Sequence, residues 1–237
     1  MENVALVTGA DRGLGLAIAR QLLEKGWIVL AGKHMDWPDL NHLAQQYPDT
    51  CHLLTLDVGS DESVQAAALA AAKKVNHIDL LVSNAAINRS HQLQSIRQDQ
   101  NFANMADELN VNAIGALRLV HALLPLLDKG TTKRLCFVSS EAGSIGASAR
   151  TGWFGYCMSK AALNMAVKNM SNDLGPQGYD LRLYHPGWLK TYMSGERNDQ
   201  ARYEPEEGAA FALNYFLDSN RRPELTLRDY EGNDYPW

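Results

Sequence analysis

The sequence VALVTGADRGLG, residues 4–15, runs a short apolar stretch into a turn with glycine at positions 9, 13 and 15. Directly behind the turn, Leu14, Ile18, Leu22 and Leu23 recur at helical spacing, and Lys25-Gly26 ends the pattern with a basic residue and a stop. A glycine-rich strand-to-helix turn lets backbone N–H groups approach a pyrophosphate. The helix N-terminus behind it favours the negative charge, whereas a Cβ in the turn would hold the phosphate off. A strand before and a helix after are the context that makes this pattern a dinucleotide cradle. Gly9, Arg12, Gly13, Leu14 and Gly15 are its candidate cofactor contacts.

Outward from this unit, short β-rich runs alternate with longer helical segments. The spacing predicts strands at 4–8, 27–31, 52–56, 80–83, 135–139, 181–184 and 225–228, and helices near 39–47, 60–72, 105–127, 153–174 and 205–218. Ser60-Asp61-Glu62-Ser63 reads as a capped helix start with acidic residues against the dipole. The expected fold is α/β: one Rossmann-like doubly wound parallel sheet of about seven strands, helices on both faces, in a single domain over residues 1–237. Three irregular stretches, 86–101, 143–152 and 187–203, each follow a strand. Ligands of such sheets bind beyond the carboxyl ends of the strands, so these loops predict one large site.

Composition narrows the partners. With 46% hydrophobic and 21% charged residues the chain can bury a full core. Twenty-two basic against 27 acidic residues, mixed along the chain, leave a net charge of −5 and no basic stripe. Neither nucleic acid nor an anionic membrane is expected as a partner. No apolar run approaching the ~18 residues of a membrane span is evident. The N-terminal residues lack the features of a signal peptide, and a cytoplasmic protein is expected. Cys51, Cys136 and Cys157 have no paired spacing and read as ordinary buried residues. His91 and His185 likewise lack ligand spacing, so no metal site is expected.

The second strand ends Leu30-Ala31-Gly32-Lys33-His34, with no carboxylate at its tip to take a ribose 2′-hydroxyl. Lys33 and Arg12 form a two-cation clamp for a 2′-phosphate, which favours NADP(H). NAD(H) stays open through Asp36, which lies past the strand and before Pro38. Further on, Tyr156-Cys157-Met158-Ser159-Lys160 opens a helix, and the spacing of four puts phenol and ammonium on one face. A nearby cation is expected to lower the phenol pKa from its usual value near 10. Val138-Ser139-Ser140 brings a hydroxyl to the same edge.

Taken in order, TGADRGLG (8–15), Asp57-Val58, Ser83-Asn84-Ala85-Ala86, Asn110-Val111-Asn112, Val138-Ser139-Ser140, YCMSK (156–160) and Pro186-Gly187 resemble the classical short-chain dehydrogenase/reductase family. The likeness covers essentially the whole chain. It implies an NADP(H)-dependent oxidoreductase acting on a carbonyl or alcohol, with Tyr156 as general acid/base. Lys160 would lower the Tyr156 pKa and hold the nicotinamide ribose, Ser140 would polarise the carbonyl, and Asn112 would anchor a water in a proton relay. The resemblance also implies that Asp57 and Val58 bracket the adenine, Asn84 and Ala85 line the cofactor path, Pro186-Gly187 lies against the nicotinamide, and Thr191 bonds the carboxamide or a phosphate.

Two departures from the family pattern stand out. Ala86 occupies a position often held by glycine, which bears on loop geometry, and Ser140 lies 16 residues before Tyr156, about three more than is usual. Gly143, three residues beyond Ser140, favours Ser140 over Ser139 as the active hydroxyl. The stretches GSIGASARTGWFGYCMSKAALN, HPGWLKTYM and DYEGNDYPW are most similar to the carbonyl reductase subgroup typified by C-factor and sniffer proteins. In that pattern an acidic residue often stands where this chain has Tyr192, a change at the substrate mouth. Trp153, Phe154, Trp188, Tyr192 and Met193 at the active edge suggest an apolar or aromatic aldehyde or ketone. A non-catalytic dinucleotide-binding regulator is the rival reading, which an intact Asn112, Ser140, Tyr156 and Lys160 disfavour. The family pairs through the helices near 105–128 and 153–174, leaving dimer, tetramer and monomer open.

Overall fold

The computed structural model describes residues 2–89, 95–193, 195–220 and 224–237, so His91 lies outside the described residues. Its strands are β1 (Val4–Thr8), β2 (Ile28–Lys33), β3 (Cys51–Thr55), β4 (Leu80–Ser83), β5 (Arg134–Val138), β6 (Asp180–His185), β7 (Leu227–Asp229) and β8 (Asp234–Tyr235). They form one sheet in the order β3-β2-β1-β4-β5-β6-β7-β8, parallel throughout except for the antiparallel β7–β8 pair. The eighth strand is absent from the sequence expectation of about seven. With two residues it is too short to show a period of two, and only its pairing with Leu227 and Arg228 defines it.

The principal helices are α1 (Gly13–Glu24), α2 (Pro38–Gln46), α3 (Asp61–Ala72), α4 (Phe102–Leu109), α5 (Gly115–Leu127), α6 (Phe154–Leu174) and α7 (Pro205–Phe216). β1 shows why they cover both faces. Successive strand side chains point to opposite sides, so Val4 and Leu6 enter the core built with α3, α5 and α6, while Ala5 and Val7 enter the core built with α1, α2 and α7. Local caps fit the sequence. Ser60 Oγ accepts from the Ser63 N–H at 3.2 Å, and Glu204 with Glu207 forms a capping box ahead of Pro205 in α7.

The segment expected as one helix from 105 to 127 starts earlier, where Asn101 accepts from the Asn104 N–H, and is interrupted by a π-helical turn, Asn110–Ile114. Phe102–Leu127 is long and apolar enough to cross a membrane by length and composition, with a mean hydropathy of 1.4 over an 18-residue window within it, which corrects the expectation that no such run exists. Here Leu119, Val120, Leu123 and Leu127 bury it in the core. From β1 the chain winds outward through β2 and β3, then crosses to β4 on the other side of β1, which opens a crevice at the carboxyl ends of β1 and β4.

Candidate active site

Two adjoining cavities of about 500 Å³ and 440 Å³ share Leu14, Asn84, Ala86, Thr191 and Met193, and so form one cleft along the carboxyl edge. At one end, Gly9 (φ +61°) and Gly13 (φ +58°) take the left-handed conformation that glycine accepts without strain. A Cβ at Gly15 would collide with the Gly9 carbonyl oxygen. The turn is held from β4: Thr8 Oγ1 accepts from the N–H groups of Asn84 and Ala85 at 3.0 and 2.9 Å, and Asn84 Nδ2 donates to the Thr8 carbonyl at 2.9 Å. The turn therefore has the shape a dinucleotide pyrophosphate requires. Thr8, which opens the motif but was given no role from sequence, is the lock between the two strands.

Gly9, Arg12, Gly13, Leu14, Asp57, Val58, Asn84, Ala85 and Thr191 all line the cleft at this end. Asp57 Oδ1 accepts from the Gly59 N–H at 2.8 Å, shaping the turn into α3, and Val58 lies against Gly115. Ala86 keeps a negative φ, so alanine in place of glycine strains no backbone there. The two-cation clamp is not formed: Lys33 does not line the cleft, because its ammonium pairs with Asp36. Arg12 lines it, while Tyr192, expected at the substrate mouth, packs near Arg12 and Trp37 instead.

At the other end Tyr156 and Lys160 meet on α6, and both are buried. Ser140 lies beside the Tyr156 phenol and favours its charged form, and its oxygen accepts from the Ala142 N–H at 3.1 Å. Ser139 and Ser140 both line the cavity, but Ser139 donates to Asn164 Oδ1 at 2.6 Å, which commits its hydroxyl proton to the protein. Lys160 Nζ donates to the Val138 carbonyl at 3.1 Å and lies 5.6 Å from the Tyr156 ring centroid. The expectation that Lys160 lowers the Tyr156 pKa is not what this geometry gives. Burial pushes the phenol up despite Ser140, and burial pushes the Lys160 amine down to about 8. At the phenol, desolvation outweighs the influence of Ser140.

Asn112 sits on the π-helical turn with its amide spent on protein. Its Oδ1 accepts from the Ile87 N–H at 2.8 Å, and its Nδ2 donates to the Ile87 carbonyl and Ser159 Oγ. Pro186 and Gly187 line the cavity after β6, and the ring of Tyr230 packs against Gly187. Of the expected mouth residues, Trp153, Trp188 and Met193 line this cavity, whereas Phe154 lines neither cavity.

Several contributors have no sequence motif. Trp153 is a bulky residue at φ +66°, an unfavourable conformation held by its surroundings. Its ring stacks on Tyr156 at 4.6 Å, and its indole N–H donates to Asn88 at 3.0 Å. The buried Glu108 carboxylate accepts from the Arg89 N–H at 2.7 Å and occupies the space that a Cβ at Gly155 would need. Both are assembled by contacts far apart in sequence, which no local pattern signals.

The family model described as short chain dehydrogenase matches residues 3–202. C-signal from Myxococcus xanthus is 37% identical over 160 residues, covering 68% of this chain and 93% of its own. The NADPH-bound carbonyl reductase from chicken fatty liver superposes with a TM-score of 0.87 at 28% identity, over 100% of this chain and 99% of that one. Carbonyl reductase Sniffer of D. melanogaster gives 0.88 at 25% identity, over 100% of both chains. With the glycine turn and the Ser140, Tyr156 and Lys160 cluster on one sheet edge, and a family match over most of its length, the chain belongs to the short chain dehydrogenase family, among relatives that include carbonyl reductases.

Proposed function

We propose that this oxidoreductase is an NADPH-dependent carbonyl reductase acting on apolar or aromatic aldehydes and ketones. The observation that carries the reading is the Tyr156 phenol, with Ser140 and Lys160 beside it, facing a cavity continuous with the glycine cradle. When bound, the dinucleotide supplies the hydride. Tyr156 donates its proton to the carbonyl oxygen, and Ser140 donates a hydrogen bond to the same oxygen as negative charge develops. Lys160 would hold the nicotinamide ribose and Pro186-Gly187 would border the nicotinamide, while Asn112 keeps Ile87 and α6 in register beside them. The neutral phenol is the donating form, and Ser140, which favours the phenolate, offsets part of the loss of acidity that burial imposes.

The preference for NADPH is supported by Arg12 in the cleft and by the NADPH-bound carbonyl reductase of the same fold. The substrate class is supported by Trp153, Trp188 and Met193 along the cavity, where Glu141 is neutralised by Arg150 at 2.7 Å. The test is a fluorescence titration with NADPH and NADH, followed by a panel of aldehydes, quinones, diketones and charged ketoacids read as loss of NADPH absorbance. Oxidation of NADPH by the apolar carbonyls is expected. A preference for charged ketoacids would overturn the substrate class, and NADPH binding without turnover on any carbonyl would replace the enzyme with a dinucleotide-binding regulator.

A further inference from the structure

We propose that Trp37 and Tyr192 form an aromatic seat that presents Arg12 to the 2′-phosphate of the dinucleotide, making these two residues determinants of cofactor preference. The inference rests on reading the cleft as an NADP(H) site and concerns how this chain reads the phosphate. The Arg12 guanidinium lies 5.0 Å from the Trp37 ring centroid and 5.9 Å from that of Tyr192, and the two rings are 5.4 Å apart at 56°. The cation therefore sits over the notch between two aromatic faces, an attractive arrangement that limits where a long side chain can point.

Three further observations favour this role. Among the described residues no carboxylate pairs with Arg12, whereas the other cations at this end are engaged: Lys33 with Asp36, and Arg89 with Asp107 at 3.3 Å. His34, the remaining basic group on that wall, lies 4.0 Å from Asp57. Arg12 is thus the cation left to meet an anion, immediately ahead of the glycine-lined N-terminus of α1. Finally, the seat joins two distant segments. Trp37 precedes α2 after β2, and Tyr192 belongs to the loop after β6, whose Thr191 abuts Gly13. An Arg12 seated this way ties the loop beside the substrate cavity to the adenosine end of the cleft.

The experiment measures NADPH and NADH dissociation constants by calorimetry, without turnover, for the wild type, Trp37→Leu, Tyr192→Leu, Trp37→Phe, Tyr192→Phe and Arg12→Leu. Each Leu variant is expected to weaken NADPH about fivefold to tenfold and NADH less than about twofold, and each Phe variant to stay near wild type, since a ring preserves the cation contact. Combining Trp37→Leu with Arg12→Leu is expected to weaken NADPH no further than Arg12→Leu alone. Equal wild-type affinity for the two cofactors would overturn the NADP(H) reading beneath the proposal. A wild-type preference for NADPH that survives both Leu variants, or Leu variants that weaken both cofactors alike, would overturn the aromatic seat alone.

Discussion

At the amino end of the sheet the buried Asp79 carboxylate accepts from the Val4 N–H at 3.0 Å and from the N–H and hydroxyl of Thr131, each at 2.8 Å, with His77 Nε2 3.0 Å away. At the carboxyl edge Tyr156 and Lys160 are also buried, yet the phenol has Ser140 and the amine the Val138 carbonyl. Burial works to raise the pKa of Asp79, but its hydrogen bonds and the nearby His77 outweigh that and hold it below its ordinary value. At Tyr156 and Lys160 burial wins. The contrast separates two uses of a buried polar group. A carboxylate surrounded by donors ties the edge of the fold together, whereas at the carboxyl edge burial disfavours the charged forms of two groups that face the cavity.

The largest effect that would sharpen this contrast is Tyr156→Phe, expected to lower kcat for NADPH oxidation about 10²- to 10⁴-fold. NADPH affinity should stay within about twofold, and both are read by absorbance and fluorescence. Asp79→Ala is expected to leave turnover per folded molecule unchanged and to cost about 2 to 4 kcal/mol in urea unfolding, because several buried donors lose their acceptor. A loss of kcat without loss of stability would break the division between the two ends. Ser140→Ala should lower kcat about 10²-fold, whereas Ser139→Ala, which removes only the bond to Asn164, should cost about 1 kcal/mol of stability and little turnover. Equal kinetic effects would show that both hydroxyls serve the site.

The two ends should also respond oppositely to pH. The Lys160 amine is lowered by burial from 10.5 to about 8, so its cost to folding is full below pH 8 and disappears as the pH rises towards 10.5. Lys160→Met should therefore gain most in stability over wild type below pH 8, the gain shrinking through this window. The depressed Asp79 contributes stability at neutral pH that is lost as the pH falls below the ordinary carboxylate range, so Asp79→Asn should flatten the acid side of the profile. Urea unfolding across pH measures both. The smallest change is expected at the exposed Asp36: Asp36→Asn should move stability by less than about 0.5 kcal/mol. By freeing Lys33 it should tighten NADPH a few-fold in calorimetry, and weaker binding of NADH would place Asp36 itself on the ribose 2′-hydroxyl.

Most of the sheet was legible because its strands carry their own signals: apolar runs flanked by turns, with helices of clear period between them. The strand expected at 225–228 appears as β7 at 227–229, but the strand at 234–235 was not legible, because no period can be counted in two residues and only its pairing with β7 defines it. At the site, the glycine turn, Ser140, Tyr156 and Lys160 were readable from local spacing. Lys33 was misread, because spacing reports where a cation starts from and not the carboxylate it meets, here Asp36. Tyr192 was assigned to the substrate end for the same reason, since its loop folds across to Trp37.

The amino-acid sequence alone determined the order of strands and helices, the phosphate-shaped turn after β1 and the identity of the groups that reach the carboxyl edge, since each depends on neighbours within a few residues. Only the tertiary structure decided their electrical state and their orientation. Burial by surrounding elements pushes the Tyr156 phenol up and the Lys160 amine down, Trp153 stacks on the phenol from an unfavourable backbone conformation, and Arg12 lies over two rings on separate loops. Desolvation and long-range packing depend on what the rest of the chain places nearby, and no local spacing encodes that.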